Sequence, residues 1–341
     1  MKIWIDIATP PQVLFMRPII NELQKRNIGL TITTRDFNET RWLADRYGLN
    51  HTVIGIHGGK TLVGKGMAIL SRAIKLMNFG RQKGISLAVS HGSYSQAIAA
   101  RWLHIPMVAF GDYEGQPANH IICRLATVIF VPDVFCKTNL FHYGASERKI
   151  QSYNGIKENI YLADFTPSPT FLEELAIPTE NVIATLRPPS TVSAYHRFKN
   201  PLFDETLNYI TSHTGTFVVL LPRGIDQYRK YSDLKLPNLL IPKTVLDGPD
   251  LIYHSDLVAG AGGTMNREAT VLGTPVYTLF KGKMGSVDLH LIRAGKMVQI
   301  EDSEDILKIK IYKKDKSHFY QRHEDKDIVN EVVEMILNVK G

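Results

Sequence analysis

Acidic residues are missing from a long interval of this 341-residue chain: none occurs between Asp45 and Asp112, where Arg46, Lys60, Lys65, Arg72, Lys75, Arg81, Lys83 and Arg101 all fall. Long apolar runs are missing too. No window approaches the roughly 18 consecutive apolar residues of a spanning helix, which argues against an integral membrane protein. The opening MKIWIDIATPP is too short an apolar run for a signal peptide, because Asp6 interrupts it and no small-residue cleavage site follows. A cytoplasmic protein is expected. Only two cysteines are present, Cys123 and Cys136, without metal-ligand spacing and too few for a disulfide framework. The histidines are scattered, so no metal site is expected. Short-period repeats and low-complexity tracts are also lacking, which excludes disordered, collagenous and coiled-coil chains.

What is present is an ordinary folded composition, 44% hydrophobic and 21% charged, long enough for two domains with real cores. The net charge of +7 is unevenly spread. Residues 1–165 carry 19 basic and 11 acidic side chains, whereas the remainder carries 21 and 22. A one-sign field of this kind attracts anions: phosphorylated substrates, acidic lipid or nucleic acid.

Short β-rich runs alternate with helical stretches in both halves. Strands are expected at residues 3–7, 29–33, 87–90, 107–110 and 128–131, then at 182–186, 217–221, 239–241, 256–260 and 276–277. Helices are expected at 13–25, 39–47, 96–103 and 118–126, then at 202–212, 265–272 and 288–294. This rhythm predicts parallel, doubly wound sheets, hence an α/β chain of two Rossmann-like domains facing an interdomain cleft. The expected domains are residues 1–165 and 178–324, joined by a proline-containing linker at 164–178. A last helix within 325–341 could pack back on the first domain.

The most specific segment runs from Asp256 to Val276. A strand ends in Gly260-Ala-Gly262-Gly263 and a helix opens at Thr264. Glycines let the backbone approach a ligand, and the free N–H groups of a helix start suit a phosphate or pyrophosphate. Thr264 and Glu268 lie one turn apart on one face, so the acid is placed to accept hydrogen bonds from ribose hydroxyls. The alternative is a helix entry whose glycines merely permit close packing.

With Glu268-Ala269 and Gly273-Thr-Pro275-Val276 added, this segment resembles the nucleotide-binding signature of the UDP-N-acetylglucosamine 2-epimerases and related GT-B glycosyltransferases. The loop Ala8-Thr9-Pro10-Pro11 is similar to the family's first strand-to-helix turn, and Ser90-His91-Gly92-Ser93-Tyr94-Ser95 to its His-Gly loop. The whole chain looks like an uncharacterised branch of that superfamily. The resemblance implies a GT-B fold and UDP-sugar binding by Gly262, Gly263, Thr264 and Glu268, with no cofactor beyond the UDP-sugar substrate. Two departures stand out. Ser93 occupies the position where the epimerases carry an aspartate after His-Gly, and Arg187-Pro188-Pro189 stands where they carry a catalytic histidine.

Those departures place glycosyl transfer ahead of 2-epimerisation in the reading. Transfer needs a base for the acceptor hydroxyl and cations for the departing diphosphate. Asp112 is the first candidate for the base, with Glu114 and His91 behind it; each could instead be a turn cap or a structural side chain. Arg187 and Arg223, each just past a second-domain strand, are candidates for the diphosphate or for surface ion pairs. The stretch Gly59 to Gly66 imitates a P-loop but has Gly66 where Ser or Thr should hold magnesium, so an ATPase is rejected. Beyond it, Met67, Leu70, Ile74 and Met77 are expected to form a helix's core face. Ile69, Leu76 and Phe79 would share the other face with Arg72, Lys75 and Lys83. Residues 57–83 are thus expected either to meet an anionic membrane surface or a lipid-linked acceptor, making the protein peripheral, or to be a buried helix with snorkelling cations. No RNP, zinc-finger or helix-turn-helix pattern supports nucleic-acid binding. A non-catalytic nucleotide-sugar or anion binder is the remaining alternative.

Overall fold

Strands read as continuous apolar runs rather than alternating ones must be covered on both faces, and that is how both sheets of this protein are built. The computed structural model describes residues 1–37, 39–56, 59, 62–189, 201–315 and 325–339. It divides into two compact units, the first comprising residues 1–163, 285–287 and 322–341, the second 164–284 and 288–321.

The first unit carries strands β1 (Lys2–Ile7), β2 (Gly29–Asp36), β3 (His51–Ile56), β4 (Leu87–His91), β5 (Met107–Phe110), β6 (Val128–Pro132) and β7 (Ile150–Tyr153). They form a parallel sheet in the order β3-β2-β1-β4-β5-β6-β7. The helices between them are α1 (Pro10–Lys25), α2 (Thr40–Arg46), α3 (Leu62–Gly80), α4 (Tyr94–Trp102) and α5 (Asn119–Leu125), and α6 (Lys157–Leu162) follows the last strand. The second unit opens with α7 (Phe171–Glu174) and continues through β8 (Val182–Arg187), α8 (Pro201–Ser212), β9 (Thr216–Leu220), α9 (Ile225–Ser232) and β10 (Leu239–Leu240). Then come α10 (Gly248–His254), β11 (Leu257–Gly260), α11 (Gly263–Val271), β12 (Val276–Thr278), α12 (Ser286–Arg293), whose first two residues belong to the first unit, and β13 (Val298–Gln299). Its parallel sheet has the order β10-β9-β8-β11-β12-β13. The expected α/β class with two Rossmann-like sheets is what the chain adopts.

The stretch read as a linker, 164–178, belongs to the second unit. Phe171, Leu172 and Ile177 are buried there with Ile183, Val219 and Leu251. Helix α13 (Asp325–Leu337) belongs to the first, where Arg26 donates to Glu334 and to Asn330 Oδ1, the latter at 3.1 Å.

Helix α3 corrects the expectation for residues 67–83. Arg72 and Leu76, assigned to an outer face, are buried, whereas Met67, Leu70 and Ile74, assigned to the core, are exposed. The reason lies in Asp6. This carboxylate sits fully buried on the central strand β1 and would be prohibitively costly there alone. Arg72 meets it with two hydrogen bonds, Nη1 to Oδ2 at 2.7 Å and Nη2 to Oδ1 at 2.8 Å, and donates through Nε to the carbonyl of Ile54 on β3. The Ser93 and Thr33 hydroxyls donate to the same carboxylate at 2.5 and 2.6 Å. An ion pair thus turns the helix, and the apolar stripe follows outward. Residues 57, 58, 60 and 61 of the P-loop-like stretch lie outside the described residues, and Gly64 to Gly66 are helical within α3. No described helix is long and apolar enough to cross a membrane.

Candidate functional site

In a doubly wound sheet the strand order reverses once, and the loops leaving the two strands at that reversal open a ready-made crevice beyond their carboxyl ends. In the second unit the reversal lies between β8 and β11, where Arg187 pairs with Gly260. The loop after β11 is Ala261-Gly262, and α11 begins at Gly263, so backbone N–H groups of the first helical turn point out of this edge. Arg223 reaches it from the loop after β9. Its Nε donates to the carbonyl of Pro188 at 2.8 Å, and its backbone N–H donates to Gln227 Oε1 at 2.8 Å. The guanidinium then lies over Gly262: a Cβ there would stand 2.6 Å from Arg223 Nη2. Gly262 is therefore the residue that lets a cation sit on the helix start. Thr264 is half-buried in the first turn and Glu268 is buried one turn below. Behind it, Arg267 grips Asp288 through Nε and Nη2, at 2.7 and 2.9 Å, and fixes the helix from its buried side. The six residues expected to hold a nucleotide sugar, Gly262, Gly263, Thr264, Glu268, Arg187 and Arg223, thus all lie at the reversal point or one helical turn from it.

The first unit reverses between β1 and β4, where Asp6 pairs with Ser90. Gln12, in the first turns of α1, bridges the two loops there. Its Oε1 accepts from the Ala8 N–H at 2.6 Å and from the Thr9 N–H at 3.2 Å, while its Nε2 donates to the carbonyl of His91 at 2.5 Å. The left-handed backbone of Gly92, φ +67°, turns the chain so that Ser93 can cap α4 by accepting from the Gln96 N–H. Ser93 is thereby committed to Asp6 and to the helix start. Next to this turn, Arg35 donates to the carbonyl of Ala8 at 3.1 Å. Burial, followed by repulsion from Arg72, lowers it to about 10, so it remains a cation at neutral pH.

Asp112 and His91 come together, as the loops after neighbouring strands β4 and β5 require. His91 Nε2 lies 3.3 Å from Asp112 Oδ1, and the Phe15 ring meets the imidazole edge to face at a centroid distance of 5.3 Å. Lys157, the first residue of α6, donates to Asp112 Oδ2 at 2.5 Å and lies 3.6 Å from buried Glu158. An imidazole near one oxygen and an ammonium on the other fix the direction of this carboxylate at the end of β5. Glu114 is separate from this group. Its Oε1 accepts from Asn139 Nδ2 at 2.8 Å and from the backbone N–H of Ser286 at 2.9 Å, the geometry of a loop anchor. Lys157 and Gln12 are the residues that sequence reading missed. The signal for Lys157 was β7: a strand at 150–153 puts the loop that follows it at the same sheet edge as Asp112.

Two parallel α/β sheets in tandem are the fold this chain shares with the GT-B 2-epimerases of solved structure. The chain belongs to the family described as "Protein of unknown function (DUF354)", whose model matches residues 1–340. An uncharacterised protein of Methanocaldococcus jannaschii is 28% identical over 313 residues, covering 90% of each chain. The UDP-N-acetylglucosamine 2-epimerase of the same organism is 21% identical over 309 residues, covering 82% of this chain and 83% of its own. Among solved structures, the UDP-GlcNAc 2-epimerase of Neisseria meningitidis bound to UDP-GlcNAc superposes with a TM-score of 0.79 at 16% identity, covering 99% of this chain and 100% of that one.

Proposed function

We infer that this protein is a UDP-sugar-processing enzyme that takes a UDP-N-acetylhexosamine and transfers the sugar to a hydroxyl of a glycan or lipid-linked acceptor. The observation that carries the donor half is the guanidinium of Arg223 laid over Gly262 at the start of α11, with Arg187 on the adjoining strand end. Helix N–H groups and a forked cation together match a diphosphate, and the buried Glu268 one turn down suits ribose hydroxyls. In the transfer step Asp112 accepts the acceptor's proton while Lys157 and His91 hold its carboxylate in place. On the second unit, Arg223, Arg187 and the helix start are the groups suited to meet the growing negative charge of a departing diphosphate.

A second reading, 2-epimerisation of the UDP-sugar, is favoured by the likeness to the 2-epimerases over nearly the whole chain. Ser93 and Arg187 weigh against it, since neither supplies the acid or the base that the resemblance leads one to seek there, and the Ser93 hydroxyl is already donated to Asp6.

Calorimetric titration with UDP, UDP-N-acetylglucosamine, GDP and CMP tests the donor half. Selective uridine binding is expected, and no nucleotide binding at all would leave only the architecture. Acceptor-free conversion of UDP-N-acetylglucosamine would select epimerisation. Replacing Glu268 with Gln is expected to weaken UDP binding about tenfold, the effect of one lost charge-assisted hydrogen bond, while the fold stays intact. Gly262→Ala is expected to do the same by a different route: the new methyl displaces the flexible Arg223 guanidinium, so affinity falls about tenfold while the fold persists. Unaltered affinity in both variants would remove this assignment.

A further inference from the structure

The ion pair that turns α3 inward leaves an unusual face outward. Val63, Met67, Leu70 and Ile74 are 74%, 69%, 50% and 45% exposed. At about 100° per residue they fall within an arc of roughly 60°, one unbroken stripe along the helix, opposite Arg72 and Leu76. Ile56, on the neighbouring edge strand β3, is 70% exposed as well. Isolated exposed apolar residues are ordinary, but a four-residue stripe on one helix is a patch that solvent disfavours. Its surroundings are basic. Lys75, Arg81 and Lys83 are exposed on or just after the same helix, Lys65 is half-buried within it, and no acidic residue occurs from 46 to 111.

We propose that this stripe lies on an anionic lipid bilayer surface, with Val63, Met67, Leu70 and Ile74 entering the headgroup boundary and Lys75, Arg81 and Lys83 meeting acidic headgroups. Apolar side chains on one face with flanking lysine and arginine are what an in-plane interfacial helix requires. A second copy of this chain is the competing occupant. Symmetric pairing would bring two acid-free, lysine-flanked stripes together, and like charges facing each other oppose it. The proposal stands independently of the UDP-sugar reading, since it rests on the outward side of α3 alone.

The test is flotation of the full chain, without nucleotide, with vesicles of phosphatidylcholine and of phosphatidylcholine mixed with phosphatidylglycerol. Binding to the mixed vesicles and not to the neutral ones is expected, weakening as salt rises. The double variant Leu70→Glu with Ile74→Glu is expected to reduce vesicle partition by about tenfold or more, because two charges replace the inserting groups. Both positions are exposed, so its thermal midpoint should match the unmodified chain. Absence of binding to the mixed vesicles, or equal binding by the double variant, overturns the proposal. So does a dimer in sedimentation velocity that the double variant dissolves, which would assign the stripe to self-association.

Discussion

Replacing Arg72 with methionine is expected to lower the stability of the first unit by about 3–5 kcal/mol, the usual consequence of leaving one member of a buried ion pair alone. For a unit of this size that corresponds to a thermal midpoint lower by roughly 10 °C or more. The pH dependence should change sign as well. In the intact protein burial pushes the Asp6 carboxyl up, but the charge and hydrogen bonds of Arg72, with those of Ser93 and Thr33, more than offset it and hold it below its ordinary value of 3.8. A group lowered in this way stabilises the fold above its unfolded value, and that contribution disappears as pH falls through its folded value. With Arg72 gone, burial dominates and the Asp6 pKa rises above the unfolded value. The variant should then lose stability as pH rises from the acid range toward neutrality. Adding Asp6→Asn to Arg72→Met is expected to remove that slope and recover part of the loss. Thermal scans across pH check each step, and a single Arg72→Met variant that tracks the parent protein would show the pair to be dispensable.

The second large effect concerns chemistry. Asp112→Asn keeps the shape of the side chain but abolishes its capacity to take a proton, so under the proposed transfer reaction turnover with a UDP-N-acetylhexosamine and an acceptor should fall by about 10²–10⁴-fold. UDP affinity should be unchanged, because Asp112 belongs to the first unit and the proposed nucleotide site to the second. Parallel measurement of turnover and UDP binding separates the two roles. Equal turnover would place the base elsewhere, whereas equal loss of binding and turnover would show a structural role.

Central strands were legible in the sequence and edge strands were largely not. The runs forming β1, β4, β5, β6, β8, β9, β11 and β12 lie inside their sheets and are apolar on both faces, so hydrophobicity marks them. The missed strands β3, β7 and β13 are all edges. β3 mixes His51, Thr52 and Gly55 into its run, and β13 has two residues. The Gly262 to Glu268 motif was legible because glycines and a helix start are local features. Lys157 was not, since it reaches Asp112 from 45 residues away across a strand that had gone unread. The face of α3 was inverted for a related reason. Periodicity counts apolar residues as inward, and one buried arginine, held by an aspartate 66 positions earlier, reverses that assignment.

The first unit is discontinuous in sequence: α13 packs beside α1 and α6, its Glu334 bound by Arg26 and its Glu331 accepting from the Asn154 N–H at 3.3 Å. A ribosome makes the chain from the amino end, so the second unit is synthesised in full before α13 emerges. The unit that begins first is consequently finished last. Until then the sides of α1 and α6 that pack against α13 are uncovered.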